Sequence, residues 1–190
     1  MNPESIFEAF PSIHVNDEYI LRQISYNDIE DYFAYMQEED VIKYVPEECI
    51  PRTIERAKEE IDYNLDLYRY RRSIYWALAR KDNNKLIGSC GFNYWNRDHK
   101  RTEISYDLNK KYWGKGIMTS TVKAVLAFAF TRMDLHRVEA TVTPTNQASL
   151  GVLKKMGFQK EGILREQKLL HGKFYDAIIL SLLQKEYLKF

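Results

Sequence analysis

Two short words in this sequence have residue types and spacing that could do chemistry. The first is Leu108-Asn109-Lys110-Lys111-Tyr112-Trp113-Gly114-Lys115-Gly116-Ile117. It joins a strand-like run to a long apolar run of helical character. The opening amides of a helix have no intrahelical partner and carry partial positive charge. Glycine lets the loop turn and lets a ligand come close to the backbone. Lys110, Lys111 and Lys115 add positive charge on the same side. Together these features suit a phosphate or pyrophosphate. A loop whose glycines only solve a tight turn would read the same way. The word is not a P-loop, which needs GxxxxGK[ST]. It is not the dinucleotide fingerprint either, because Thr119 stands where the third glycine belongs.

The second word is Asn146-Gln147-Ala148-Ser149, running on through Leu153-Lys154-Lys155-Met156-Gly157-Phe158. Asn146 is a good helix N-cap and Gly157 a good terminator just past the end. Leu150, Leu153 and Met156 would form the buried stripe. Taken alone, this is an ordinary helix with Ser149 in its first turn.

The elements that must position these words follow from periodicity. A strand is predicted over 19–24. Asn27 or Asp28 then caps a helix bearing Ile29, Tyr32, Phe33 and Met36. Asp40 to Pro51 reads as a loop. Thr53 caps a second helix, with Ile54, Ala57, Ile61, Leu65 and Tyr68 at three- and four-residue spacing. Three strands come next, around Ile74–Leu78, Leu86–Trp95 and Arg101–Leu108. The polar turns between them, 81–85 and 96–100, imply antiparallel pairing. A helix over 117–133, a strand over 136–143, the helix over 146–156 and strands over 159–169 and 173–183 complete the chain. The order is βααβββαβαββ, a mixed α/β layer fold.

Composition narrows the function. With 190 residues, the chain has the length of one domain, taken here as 1–190 with a core over about 17–187. Lys plus Arg is 28 and Asp plus Glu is 27, so no global basic field points to nucleic acid. Cys49 and Cys90 lie in no CxxC or Cys/His cluster, so zinc is not expected and reduced cytoplasmic thiols are. The longest apolar run, Val125 to Phe130, is far short of a membrane span, and the first residues do not read as a signal peptide.

The two words become specific when read together. Glu103-Ile104-Ser105-Tyr106-Asp107-Leu108, Tyr112-Trp113-Gly114-Lys115-Gly116, Asn146-Gln147-Ala148-Ser149 and Lys155-Met156-Gly157-Phe158, followed by Glu161-Gly162 and Arg165, occur in that order. The set resembles the GCN5-related N-acetyltransferase (GNAT) superfamily, and within it the ribosomal-protein N-terminal acetyltransferase-like group. The resemblance runs from about Tyr19 to the end and is most specific between Glu103 and Arg165. It implies the acyl-CoA N-acyltransferase fold with a splayed central sheet, and acetyl-CoA as co-substrate with no metal. It implies an amine acceptor, either a protein N-terminus or a small amine such as a polyamine, amino acid or drug. A non-catalytic acyl-CoA-binding module is the alternative. No nucleic acid or membrane is expected as a partner. A homodimer is the commonest symmetric assembly.

The resemblance also assigns residues. The pantetheine arm would pair with strand backbone at Tyr106, Asp107 and Leu108, as a peptide adds to a sheet edge. The pyrophosphate would lie on amides of Lys111, Tyr112, Trp113, Gly114, Lys115 and Gly116, and on the helix start at Ile117 and Met118. Asn146 would hydrogen-bond the arm. Glu103 matches the acidic position that takes the amine proton through water. It could instead be a solvent-facing residue paired with Arg101 or Lys100. A backbone N–H near Tyr106 would stabilise the oxyanion. Many members carry a tyrosine acid seven residues after the Asn, but this chain has Leu153 there. Ser149 is then the candidate donor to the thiol, or a pantetheine contact. Tyr44 and Trp95 are candidates to line the acceptor groove. Arg69, Arg71 and Arg72 form a basic cluster that would suit an acidic peptide.

Overall fold

A computed structural model describes residues 3–187. Its frame is an eight-stranded sheet in the order β1-β2-β3-β4-β5-β6-β8-β7. The strands are β1 (Ile13–His14), β2 (Tyr19–Arg22), β3 (Tyr75–Arg80), β4 (Leu86–Asn96), β5 (Arg101–Leu108), β6 (Arg137–Val142), β7 (Gln159–Leu170) and β8 (Lys173–Leu183). The helices are α1 (Ile29–Tyr35), α2 (Glu39–Ile42), α3 (Ile54–Arg69), α4 (Ile117–Arg132), α5 (Gln147–Lys155) and α6 (Gln184–Tyr187).

The α/β order expected from periodicity is present, with additions. A 3-10 turn (Pro3–Phe7) and β1 precede β2, and β2 ends at Arg22 rather than Ile24. The stretch read as a loop holds α2 and a 3-10 turn at Glu47–Cys49, because Val41, Ile42 and Ile50 bury against α1 and α3. Thr53 caps α3 as expected, its hydroxyl accepting from the Arg56 N–H at 3.2 Å. Ile54 does not join the buried stripe: it is 42% exposed, while Ala57 and Ile61 are fully buried.

Strand alternation sends side chains to two cores. Trp76, Leu78, Phe92, Ile104, Val138 and Ala140 face α4 and α5. Ala77 and Leu86 face α1 and α3. Strands β2 to β5 form an antiparallel meander. β5 then runs parallel to β6, but only through Arg101↔Arg137, Thr102↔Val138 and Glu103↔Glu139. Beyond Glu103 the two strands part, and this opening is where the splayed sheet offers backbone.

Candidate active site

The direction of each free backbone group follows from one hydrogen bond. The Asn109 N–H donates to Ile87 O at 2.8 Å, so odd-numbered residues of β5 point their backbone toward β4. The register between Gly88↔Leu108 and Asn93↔Glu103 has no slip. Tyr106 and Leu108 therefore point their backbone into the opening toward β6. Asp107 does not, which corrects its expected place in the set that meets the pantetheine arm. Leu108 offers only its N–H, because the Trp113 indole N–H donates to Leu108 O at 2.7 Å.

Asp107 has a different task. Its side chain accepts from the Tyr35 hydroxyl at 2.6 Å, the Ser89 hydroxyl at 2.6 Å and the Ser89 N–H at 3.1 Å. Burial pushes its carboxyl up, and these three donors pull it back. The network ties α1 and β4 to the end of β5, where the strand enters the glycine loop.

That loop ends in a helix start with no side-chain cap. Gly116 is the N-cap of α4 at φ 75°, and Gly114 has φ 73°. A Cβ at either position would meet nothing within 4 Å, so the glycines are there for backbone conformation and not for space. The first α4 N–H with a backbone acceptor is that of Ser120, which donates to Gly116 O at 3.1 Å. The Ile117 and Met118 amides precede it and stay available to an anion. Lys111, Gly114, Lys115 and Gly116 are exposed around this start, and Lys115 Nζ sits 5.5 Å above the Tyr112 ring. Lys110 leaves the group, because it forms an ion pair with Asp40. The amides of Lys111, Tyr112 and Trp113, expected on the pyrophosphate, are spent inside the loop instead: they donate to Asn109 Oδ1 at 2.9 Å, Asn109 O at 3.0 Å and Lys110 O at 3.0 Å, which leaves the amides of Gly114, Lys115 and Gly116.

Across the opening, Asn146 caps α5 by accepting the Ser149 N–H at 3.1 Å. Ser149 Oγ lies 2.8 Å from the Tyr106 hydroxyl. Burial pushes the Tyr106 phenol up, so it stays protonated at neutral pH. When that phenol donates to Ser149 Oγ, the serine proton is free to point elsewhere. Sequence reasoning assigned only the backbone of Tyr106. The signal for its side chain was the two-residue strand period, which sets Tyr106 on the same face as α5.

Glu103 stands at the last β5–β6 pair, half-buried. Its anticipated partners are taken: Lys100 binds Asp134 at 2.6 Å and Arg101 binds Glu139 at 3.2 Å. Among the described residues, no cation lies within ion-pair distance of Glu103. Nearby, Tyr75 lies flat over Gly91, where any Cβ would overlap its ring, and its hydroxyl donates to Asn93 Oδ1 at 2.8 Å. Lys168 of β7, missed in the sequence, reaches over β8 and donates to Thr141 O at 3.1 Å. Its position depends on strand pairing between distant segments, which no local pattern records.

The groove rim is built by loops. The Tyr44 hydroxyl donates to Thr145 O at 2.9 Å, beside Asn146. His171, at the tip of the β7–β8 hairpin, lies 3.2 Å from Glu47 Oε2 and 3.2 Å from Ile42 O. Trp95 does not line the groove, because it is buried under Arg97 beside Phe7. The basic cluster is dispersed: Arg69 pairs with Asp66, Arg71 with Glu4, and Arg72 lies over Tyr70. Both cysteines are free thiols, Cys49 exposed and Cys90 buried. No group of three or more metal-ligating side chains occurs among the described residues, and no described helix is long and apolar enough to cross a membrane.

A strand that leaves its parallel neighbour beside an uncapped, glycine-led helix start is the arrangement that the resemblance to acyl-CoA-dependent N-acyltransferases implied. Comparison with known proteins agrees. Residues 19–159 match the acetyltransferase (GNAT) domain family, so the chain belongs to that family. It is 35% identical over 175 residues to the uncharacterized N-acetyltransferase YoaA of Bacillus subtilis, covering 92% of this chain and 98% of that one. A GNAT-family acetyltransferase structure from Bacillus anthracis superposes with a TM-score of 0.80 and 26% identity, covering 93% of this chain and all of the other. RimL, a ribosomal L7/L12 α-N-protein acetyltransferase solved with coenzyme A, superposes with a TM-score of 0.84 over 93% of this chain and 99% of that one. At 19% identity, that likeness speaks for the fold alone. The chain is an acetyl-CoA-dependent N-acetyltransferase.

Proposed function

We propose that this enzyme acetylates the α-amine at the N-terminus of a protein or peptide. One observation carries the reading: Glu103 has no ion-pair partner among the described residues and sits at the apex of the β5–β6 opening, beside the strand backbone left free there. Acetyl-CoA supplies an acetyl thioester whose leaving group is a thiol of pKa near 8.5. The amides of Ile117 and Met118, with those of Gly114, Lys115 and Gly116, suit its pyrophosphate. The Tyr106 and Leu108 backbone and the Asn146 side chain suit its arm.

The residues around the opening divide the work. Glu103 accepts a proton from the amine through water. An α-amine, with a pKa near 8, is neutral in about one molecule in ten at pH 7, whereas an alkyl amine near 10 is neutral in about one in a thousand. A single carboxylate is thus better matched to an α-amine. The Tyr106 N–H is placed to donate to the thioester oxygen as charge builds on it. Ser149, backed by the Tyr106 hydroxyl, hands a proton to the departing sulfur.

Relatedness alone does not choose the acceptor. A spermidine N(1)-acetyltransferase of Escherichia coli matches at 29% identity over 49% of this chain, and the uS5-alanine N-acetyltransferase of the same organism at 27% over 58%. The test is incubation with acetyl-CoA and a panel of N-terminal peptides, polyamines, amino acids and aminoglycosides. Thiol release and product mass are followed together. Turnover confined to peptides supports the proposal. Turnover confined to polyamines or aminoglycosides overturns it. Acetyl-CoA binding without turnover on any amine favours a binding module.

A further inference from the structure

Lys168 has no task in the chemistry above, yet the fold places it deliberately. β7 is out of step with β8 around it: Leu164 pairs with Ala177, but Lys168 pairs with Tyr175. Three residues of β7 therefore oppose Asp176 alone. Continuing the first register would set Glu166 opposite Tyr175. The bulge sets a cation there in place of an anion. It is held by the Glu166 N–H, which donates to Asp176 Oδ1 at 3.0 Å, and by Glu166 itself at φ 51°. Bulges re-aim side chains at functional sites in this manner.

The ammonium so placed is half-buried. Burial lowers its pKa, and the field of Glu103 opposes that shift. Among the described residues, no carboxylate lies within ion-pair distance of it. It has three N–H donors and spends one, on Thr141 O. Thr141 lies two residues past Glu139, on the part of β6 that has already left β5. The free donors therefore belong to the wall of the opening that Glu103 also faces.

We propose that Lys168 selects the acceptor by binding the carbonyl or carboxylate oxygen on the carbon next to the reacting amine, while Glu103 faces the amine. The inference rests on the α-amine reading and deepens it to α-amino carbonyl compounds, whether peptides or free amino acids. An amine without that oxygen leaves a half-buried cation with Thr141 O as its one acceptor among the described residues. A polyamine adds a like charge beside it.

The test compares kcat/KM for an amidated tetrapeptide, the matching free amino acid, pentylamine and spermidine in the wild type and in Lys168→Met and Lys168→Arg. The wild type prefers the first two. Lys168→Met lowers kcat/KM for them by about 10- to 100-fold, the worth of a hydrogen bond to a charged group. It lowers the value for pentylamine far less, so the preference collapses. Lys168→Arg keeps most of it. Thermal melting and acetyl-CoA titration show that each variant is folded. If the methionine variant does not fold, Lys168→Gln replaces it. Peptide turnover above amino-acid turnover names a peptide carbonyl as the source of the oxygen and supports both readings; the reverse names a free carboxylate, supports this inference and overturns the peptide N-terminus as the acceptor. An unchanged preference in a folded Lys168→Met variant overturns this inference and leaves the α-amine reading standing. Wild-type turnover of pentylamine or spermidine that matches the peptide overturns both.

Discussion

Replacing Glu103 by Gln removes a charge and little else. The side chain has no ion pair among the described residues to lose, and the residue keeps its place at the last β5–β6 pair. Stability should stay within about 0.5 kcal/mol of wild type, as for substitutions away from a bonded network. The effect belongs to catalysis. A positioned general base contributes about 10²- to 10⁴-fold. An α-amine is already about one-tenth neutral at pH 7, so less of the rate depends on the base, and the loss should be near the low end, about 100-fold. At pH 9 the amine is about nine-tenths neutral, which returns about tenfold of the loss. The assay is thiol release from acetyl-CoA with a saturating peptide acceptor from pH 6.5 to 9.5, in both proteins, beside a thermal melt. A ratio of wild type to Glu103→Gln that falls as pH rises meets the expectation. A variant within about threefold of wild type at pH 7, or a ratio constant across the range, refutes the role of general base.

Three further outcomes test the scaffold. Tyr35→Phe removes one of three donors to Asp107 and should cost about 1.5–3 kcal/mol, read as a lower urea midpoint at unchanged m value. Asp107 already titrates high in the folded state, and this change raises it further. The deficit should thus shrink as pH falls through the folded value; a deficit constant with pH contradicts the account. Gly116→Ala places a side chain at φ 75° in open space, so only conformational strain opposes it, about 1–2 kcal/mol, with weaker acetyl-CoA binding by calorimetry; full stability with full affinity contradicts the helix-start site. Arg137 and Ser181 hold the Glu161 carboxyl down at about 2. Its stabilising contribution is present above the unfolded value near 4.3 and is lost as pH falls toward 2, so Arg137→Met should flatten the stability curve in that window, and an unchanged acid limb would contradict it.

Local chemistry wrote much of the molecule legibly. Gly114 and Gly116 mark a strained loop because few other residues adopt positive φ, and Asn146 marks a helix start because its side chain accepts an amide. The helix periods and the polar turns at 81–85 and 96–100 fix element type and the antiparallel meander for the same reason: each is a property of a dozen neighbouring residues. The resemblance in the order of these words carried the family. The segment from Asp40 to Pro51 failed because α2 is only four residues long and is held by burial of Val41 and Ile42, which no short propensity reports.

What the chain could not state locally was decided by pairing across long separations. The parting of β5 from β6 after Glu103 fixes which amides are free, and it turns Asp107 away from the opening and onto Tyr35, 72 residues distant. The same closure takes Lys110 to Asp40, brings Tyr106 to Ser149 and, through a bulge in β7, carries Lys168 to Thr141. Residue type and spacing choose which groups are able to bind an anion or move a proton. Only the register of strands that meet late in the chain decides which of those groups face one another.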